Sequence, residues 1–481
     1  MKKKRTKIVA TISDKNCDPA FIRDLYEAGM DVIRINSAHL DIAAAQRIIA
    51  NTREVSDKIA ILIDTKGPEI RTTICESPIP VKKGKKFRVI GNPEMITTGD
   101  TVYVTYKPFA SDIPIGSAIL IDDGELELKA TKKEGDALIC IAQNNGLLGS
   151  RKSVNIPGVK IDLPSLSEKD KTFIEMAIQN DIEFIAHSFV RNRQDVLDVQ
   201  AILDKHNSEI KIIAKIENEE GVENITDILD SVYGMMVARG DLAIEIPYEK
   251  IPGIQRMIIE RCIYSRKPVI VATQMLHSMI NNPRPTRAEV GDIASAIYSQ
   301  TDAIMLSGET ASGKYPVEAV KTMTKVALEV ESDKEKFLDS PGINILGEIS
   351  SYLAKVAVQT SVRIGAKGII ADTIKGRTIR DMASHRGINL VLAQCYSLRT
   401  MRELALSYGV YASYQEQRIS VDEFVFTALK NLTRAHDLRD DNLIVVLAGN
   451  FSGRSGFSFI EVGTVKYLRD LVSIKEEREM V

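Results

Sequence analysis

Eight short runs rich in aliphatic and β-branched residues predict an α/β protein centred on a (β/α)8 TIM barrel. They lie at 7–12, 31–36, 59–64, 182–187, 210–215, 233–238, 268–273 and 302–306. Most are separated by about 20 to 35 residues, room for the helical crossover that parallel strands require. Polar residues gather at the ends of these runs: Arg34 and Asn36, Asp64 and Lys66, Ser188, Lys215 and Glu217, Arg239 and Asp241, Thr273 and Gln274, Ser307 and Glu309. Barrel active sites are assembled at that end from several strands, and scattered surface polarity would not fall there so regularly.

Each part of the chain follows from this frame. Residues 1–68 hold the first three strand–helix units of the barrel. The gap after Asp64 is too long for one crossover. Its segments 101–106, 118–121 and 137–142 alternate, with turns at Pro114, Gly116, Asp122-Asp123-Gly124 and Glu134-Gly135-Asp136. Residues 69–155 are therefore read as an inserted all-β, barrel-like lid domain. Residues 156–338 complete the barrel. Ser167 with Asp170, and Thr286 with Glu289, have capping-box spacing before apolar helical patterns. From 339 to 481 strands at 368–372, 389–393 and 443–448 alternate with helical stretches, which predicts a separate C-terminal α/β domain.

A chain of 481 residues has room for several domains. Its 44% hydrophobic and 27% charged content is that of a soluble globular protein. With 63 basic and 65 acidic residues the net charge is −2, so no global basic excess argues for nucleic acid. Cys17, Cys75, Cys140, Cys262 and Cys395 lack CxxC spacing and read as reduced thiols of a cytoplasmic protein. The basic start, Met1 to Arg5, is followed by too short an apolar run for a signal peptide. No run approaches the roughly 18 apolar residues of a membrane span, so no membrane partner is expected.

The chemistry concentrates in Lys215-Ile216-Glu217-Asn218 and Ala238-Arg239-Gly240-Asp241. Lys215 and Glu217 stand two apart on an extended chain and share a side. Asp241 adds a second carboxylate where a strand gives way to a helix. Two carboxylates suit one Mg²⁺, a hard ion that keeps positions open for substrate phosphates. A nearby lysine suits a phosphoryl group in transfer. The set points to Mg²⁺-dependent chemistry on a phosphorylated, acidic small molecule.

These residues resemble the pyruvate kinase family over essentially the whole chain. The motifs are Asp64-Thr65-Lys66-Gly67-Pro68-Glu69-Ile70-Arg71, Ile213 to Asn218, Met236 to Asp241, Ala272-Thr273-Gln274-Met275, Pro283 to Glu289 and Leu306-Ser307-Gly308-Glu309-Thr310, in family order. The resemblance implies transfer of the phosphoryl group of phosphoenolpyruvate to ADP, giving pyruvate and ATP, the last step of glycolysis. It implies Mg²⁺ (or Mn²⁺) and K⁺ as cofactors, and a homotetramer. By the same resemblance Lys215 stabilises the transferring group, Glu217 and Asp241 hold Mg²⁺, and free N–H groups around Gly240 and Asp241 receive the substrate carboxylate. Thr273 helps to protonate the enolate, and Arg34 and Arg71 bind phosphate. Asn36, His39 and Lys152 touch the nucleotide. K⁺ is held by Asn36, Asp64 and the Thr65 carbonyl. In the C-terminal domain, Thr373, Lys375, Gly376, Arg377 and Thr378 resemble the cradle for a phosphorylated allosteric effector, with Gly449 to Gly456 closing over it.

One stretch departs from the family. The pattern Arg-x-Asn-Phe-Ser-His-Gly reads Arg34-Ile35-Asn36-Ser37-Ala38-His39-Leu40. Ala38 replaces the serine expected on K⁺, and Ser37 sits one place early, so retained but altered monovalent-cation activation is expected. Gly308-Glu309-Thr310-Ala311-Ser312-Gly313-Lys314 imitates a P-loop, but Tyr315 follows where Ser or Thr must ligate Mg²⁺. A Mg²⁺-dependent aldolase or lyase would need the two carboxylates but not Lys215, Arg71 or a lid. A silent sugar-phosphate sensor would predict decay of the barrel site, yet Lys215, Glu217, Asp241 and Thr273 all remain.

Overall fold

The computed structural model describes residues 3–334, 349–417, 420–449 and 459–470. Eight parallel strands close into a barrel: β1 (Lys7–Ile12), β2 (Val32–Asn36), β3 (Ala60–Asp64), β4 (Phe184–His187), β5 (Lys211–Ile216), β6 (Gly234–Ala238), β7 (Val269–Ala272) and β8 (Ala303–Leu306). Neighbours in sequence are neighbours in the barrel, and β8 returns to β1 in the register Lys7↔Ala303.

The pleat of these strands decides which side chains reach the site. Val32, Ala60, Leu62, Phe184, Ala186, Ile213, Met236, Ile270 and Ala272 fill the inside of the barrel. Ile33, Ile35, Ile61, Ile63, Ile185 and Ala214 pack outward against the helices. With a period of two, Arg34, Asn36, Asp64, Ser188, Lys215 and Glu217 continue the inward series past the last apolar layer. Both expected capping boxes form, Ser167 with Asp170 and Thr286 with Glu289.

The insertion folds around its own core, which includes Phe87, Val89, Phe109, Leu128 and Leu138. Its main sheet runs Ile70–Arg71, Ser153–Asn155, Ala118–Ile121, Leu126–Glu134, Ala137–Ala142, Lys86–Gly91, Thr101–Val104. The two edges meet, because Thr105 N–H donates to the Arg71 carbonyl and Thr73 N–H to the Tyr103 carbonyl, each at 2.9 Å. Arg191, just beyond β4, donates to the carbonyls of Ile161 and Leu163 at 2.9 and 2.8 Å and so fastens the chain returning from the lid.

The C-terminal sheet has the order Val410–Tyr414, Leu390–Cys395, Gly368–Thr373, Leu443–Ala448, Phe459–Thr464, with only the last strand antiparallel. The strands at 410 and 459 were not expected. The first carries Tyr, Ala and Ser without apolar alternation, and the second is an edge. This domain covers the bottom of the barrel, where Leu406 joins the inner core. Buried ion pairs seal the junction: Arg386 with Asp302, and Arg402 with Glu183, whose carboxylate also takes Arg53 and the N–H of Ile61. All five cysteines are buried and unbridged. Among the described residues no helix is long and apolar enough to cross a membrane.

Candidate active site

At the C-terminal mouth of the barrel, Lys215 Nζ has three partners. It lies 2.9 Å from Asp64 Oδ1, 2.6 Å from Ser188 Oγ and 3.0 Å from Glu217 Oε1. Burial alone would lower the pKa of this ammonium, but Asp64 and Glu217 outweigh it and raise the value. Asp64 is 1% exposed and also binds Arg34, whose Nε donates to Oδ2 at 2.6 Å. Burial would raise the Asp64 carboxyl, yet Arg34 and then Lys215 hold it below the usual range. Arg34 further donates to Thr11 Oγ1 at 3.1 Å.

Glu217 and Asp241 behave differently. Burial raises Glu217 to about 7, opposed by Lys215 and reinforced by Asp241. Burial also raises Asp241, against the pull of Lys215 and a hydrogen bond to Glu217. Two neighbouring carboxylates that burial disfavours as anions are a donor pair for a divalent cation. Among the described residues no cluster of three or more His, Cys, Asp or Glu side chains is placed to hold a metal ion. Glu217 is oriented by the N–H of Phe189, 2.7 Å from Oε2. Phe189 has φ +55°, a left-handed conformation uncommon for a bulky residue.

Thr273 follows β7 with φ +70° and Gln274 continues at +55°. A β-branched residue held there is strained, and such strain gathers at functional sites. Thr273 Oγ1 donates to the Ala272 carbonyl at 2.6 Å and accepts from Gly240 N–H at 2.8 Å. The Gly240 amide, expected to be free at the start of the helix Arg239–Glu245, is therefore taken up by Thr273. Arg239 braces the same corner by donating to the Thr273 carbonyl at 2.6 Å and to Asp292 at 2.7 Å.

The remaining expected residues lie around this centre. Asn36 Oδ1 accepts from Ala38 N–H at 3.1 Å, and His39 is exposed. Ser37 is fully buried, with no hydrogen-bond partner for its Oγ, and Ala38 offers no side-chain oxygen. The Thr65 carbonyl accepts from Ser188 Oγ at 2.7 Å. Arg71 forks onto Glu69, at 2.5 and 2.8 Å, and Lys152 pairs with Asp122 at 2.6 Å within the lid. A cleft of about 380 Å³ runs between lid and barrel, with Arg71, Asp123 and Asn155 on one wall and Phe189, Asp241 and Glu245 on the other. Ser188, which the sequence placed at a strand end without a role, lies against Lys215, and Phe189 and Arg191 are neighbours of the site that sequence reasoning did not single out. The alternation Phe184, Ala186, Ser188 was the available signal for the first, and none marked the others.

In the C-terminal domain, Thr373 Oγ1 accepts from Gly376 N–H at 2.8 Å, and Gly376 has φ +75°. Lys375 and Arg377 are exposed at this turn before the helix Arg377–Ser384, where Thr378 is half-buried. Of the segment Gly449 to Gly456, all but Gly449 lies outside the described residues.

A lidded barrel with a lysine among carboxylates at its mouth defines a phosphotransferase of the TIM-barrel class. Residues 3–320 match the model of the pyruvate kinase barrel domain, and residues 352–462 that of the pyruvate kinase alpha/beta domain. The pyruvate kinase of Borreliella burgdorferi is 47% identical over 468 residues, covering 96% of this chain and 98% of that protein. That of Geobacillus stearothermophilus is 42% identical over 94% of this chain and 79% of its own length. A crystal structure of a pyruvate kinase from Cryptosporidium parvum superposes with a TM-score of 0.90 at 32% identity, covering 96% of each chain. The chain belongs to the pyruvate kinase family.

Proposed function

We infer that this protein transfers the phosphoryl group of phosphoenolpyruvate to ADP, producing pyruvate and ATP. The observation that carries the reading is the Lys215 ammonium, fixed between Asp64 and Glu217 with Asp241 beyond. Arg34 and Lys215 bind the phosphoryl group of the substrate, and the Gly240–Asp241 corner receives its carboxylate. ADP, placed by Asn36, His39, Arg71 and Lys152, attacks phosphorus in line while Lys215 neutralises the developing charge. Thr273 passes a proton to the enolate carbon, for which its hydroxyl must leave the Ala272 carbonyl; a threonine is a poor acid, so the proton comes from water through it. A divalent cation, Mg²⁺ or Mn²⁺, held by Glu217 and Asp241 would supply further charge neutralisation at the phosphoryl oxygens.

Asn36, Asp64 and the Thr65 carbonyl are the oxygens available to K⁺. Both Asp64 oxygens already carry a cationic partner and Ala38 adds none, which supports altered K⁺ dependence. Residues 69–155 close over the cleft and exclude water, which would otherwise accept the phosphoryl group. The turn at Thr373 to Thr378 binds a phosphorylated effector through Lys375, Arg377 and backbone amides, and the enzyme works as a cytoplasmic homotetramer. The test is pyruvate formation from phosphoenolpyruvate and Mg²⁺ in K⁺ buffer, with and without ADP. ADP-dependent pyruvate with matching ATP is expected. No turnover, even with added sugar phosphates and nucleoside monophosphates, would overturn the reading.

A further inference from the structure

We propose that Ser188 is a positioning residue for phosphoryl transfer, fixing the direction of the Lys215 ammonium through its hydroxyl oxygen. The proposal rests on the role given to Lys215 above.

A lysine reaches its site on a flexible four-carbon stem, and a compact ammonium attracts carboxylates with little directional preference. Asp64 and Glu217 therefore set the charge of Lys215 more firmly than its position. Asp64 is moreover shared with Arg34. Ser188 supplies what they lack. Its Oγ accepts from Lys215 Nζ at 2.6 Å, the shortest of the three contacts. Its single hydroxyl proton is shared between the Thr65 carbonyl at 2.7 Å and Asp64 Oδ1 at 3.0 Å. The oxygen lone pairs are thereby turned towards the lysine.

The serine itself has little freedom. It is 1% exposed, and its N–H donates to Thr65 Oγ1 at 3.0 Å. Gly67 packs so closely that a Cβ there would lie 2.8 Å from Ser188 Cβ. The next residue, Phe189, stands in its left-handed conformation with its N–H on Glu217. One turn at the end of β4 thus orients both the lysine on β5 and the carboxylate of Glu217 just beyond it. A serine serving only to satisfy buried polar groups would affect stability alone.

Ser188→Ala and Ser188→Cys separate these roles. The thiol fills a similar space but accepts a hydrogen bond weakly. In both variants kcat is expected to fall about tenfold to a hundredfold, with the KM for phosphoenolpyruvate changed less than about threefold. The unfolding midpoint should stay close to that of the unmodified enzyme in Ser188→Cys. The same serine substitutions in a Lys215→Arg background, where the ammonium is already gone, should cost less than about threefold more. Unchanged kcat in both variants, a wild-type rate in Ser188→Cys alone, or a full additional loss in the Lys215→Arg background would each overturn the proposal. Lys215→Met, assayed in parallel, isolates the underlying reading. Full turnover there overturns the role of the lysine, whereas loss there with full turnover in both serine variants overturns only the role of Ser188.

Discussion

Replacing Asp302 with alanine tests whether the barrel and the C-terminal domain are held by charge. Asp302 Oδ1 accepts from Arg386 Nη1 at 2.8 Å and Tyr408 N–H at 3.0 Å, and Oδ2 from Arg386 Nη2 at 2.6 Å and Val269 N–H at 3.1 Å. The two side chains are only 4% and 2% exposed. Removing one partner of such a pair leaves an uncompensated buried charge, at a cost of about 3–5 kcal/mol. The two orphaned amides add at least about 1 kcal/mol. For a unit of the barrel's size each kcal/mol lowers the midpoint by about 2 °C, so Asp302→Ala should lose roughly 8–12 °C. Removing both charges, in Asp302→Ala with Arg386→Met, leaves chiefly the amide term and should restore about three quarters of that loss. Thermal unfolding of the four proteins of the cycle gives the coupling directly. A loss below about 2 °C in Asp302→Ala, or additivity within about 0.5 kcal/mol, would refute the argument.

Lys7 is 2% exposed at the same junction, with Asp31 at 3.7 Å, the Val410 carbonyl at 2.5 Å and the Tyr411 ring at 4.1 Å. Burial lowers its pKa to about 8, against the pull of Asp31. Between pH 8 and 10.5 the unfolded chain therefore binds more protons here than the folded one, and stability should rise with pH in that window. Comparison with Lys7→Met by denaturant titration checks this, and an unchanged stability difference between pH 7.5 and 10 would count against it. Thr273→Ser should stay within about threefold of the native kcat, while Thr273→Val, which keeps the shape but not the hydroxyl, should lose about a hundredfold. Equal rates in the two would remove the hydroxyl from the proton step. Replacing K⁺ by tetramethylammonium should lower the rate, and an unchanged rate would show that Asn36, Asp64 and Thr65 hold no monovalent cation.

The barrel was legible because its strands are short, apolar and evenly spaced, and a period of two carries Arg34, Lys215 and Glu217 to the inside as surely as Val32 and Ile213. The lid was legible from a gap too long for one crossover. What escaped depends on backbone. Phe189 donates through its backbone N–H, and the Arg191 guanidinium donates to the backbone carbonyls of Ile161 and Leu163, so side-chain identity marks neither the first donor nor the second pair of acceptors. Thr273 was placed as a strand end, but its left-handed φ and its claim on the Gly240 amide arise only when β6 and β7 lie side by side. The strand Val410–Tyr414 escaped because its half-buried faces leave no alternation to read.

The closure of β8 onto β1 also sets a condition on how the protein is made. Thr11 finds its acceptor, the Leu306 carbonyl, 295 residues further along the chain. At about 5–20 residues per second a ribosome needs roughly 15–60 s to deliver that partner. Throughout that interval the nascent chain carries an open edge of Lys7–Ile12, every residue of which is buried in the finished enzyme. The inserted lid, whose own edges meet across Arg71 and Thr105, is complete long before. A ribosome stalled ahead of Leu306 would hold a finished lid on an unfinished barrel, with an apolar strand exposed to any chaperone or neighbouring chain.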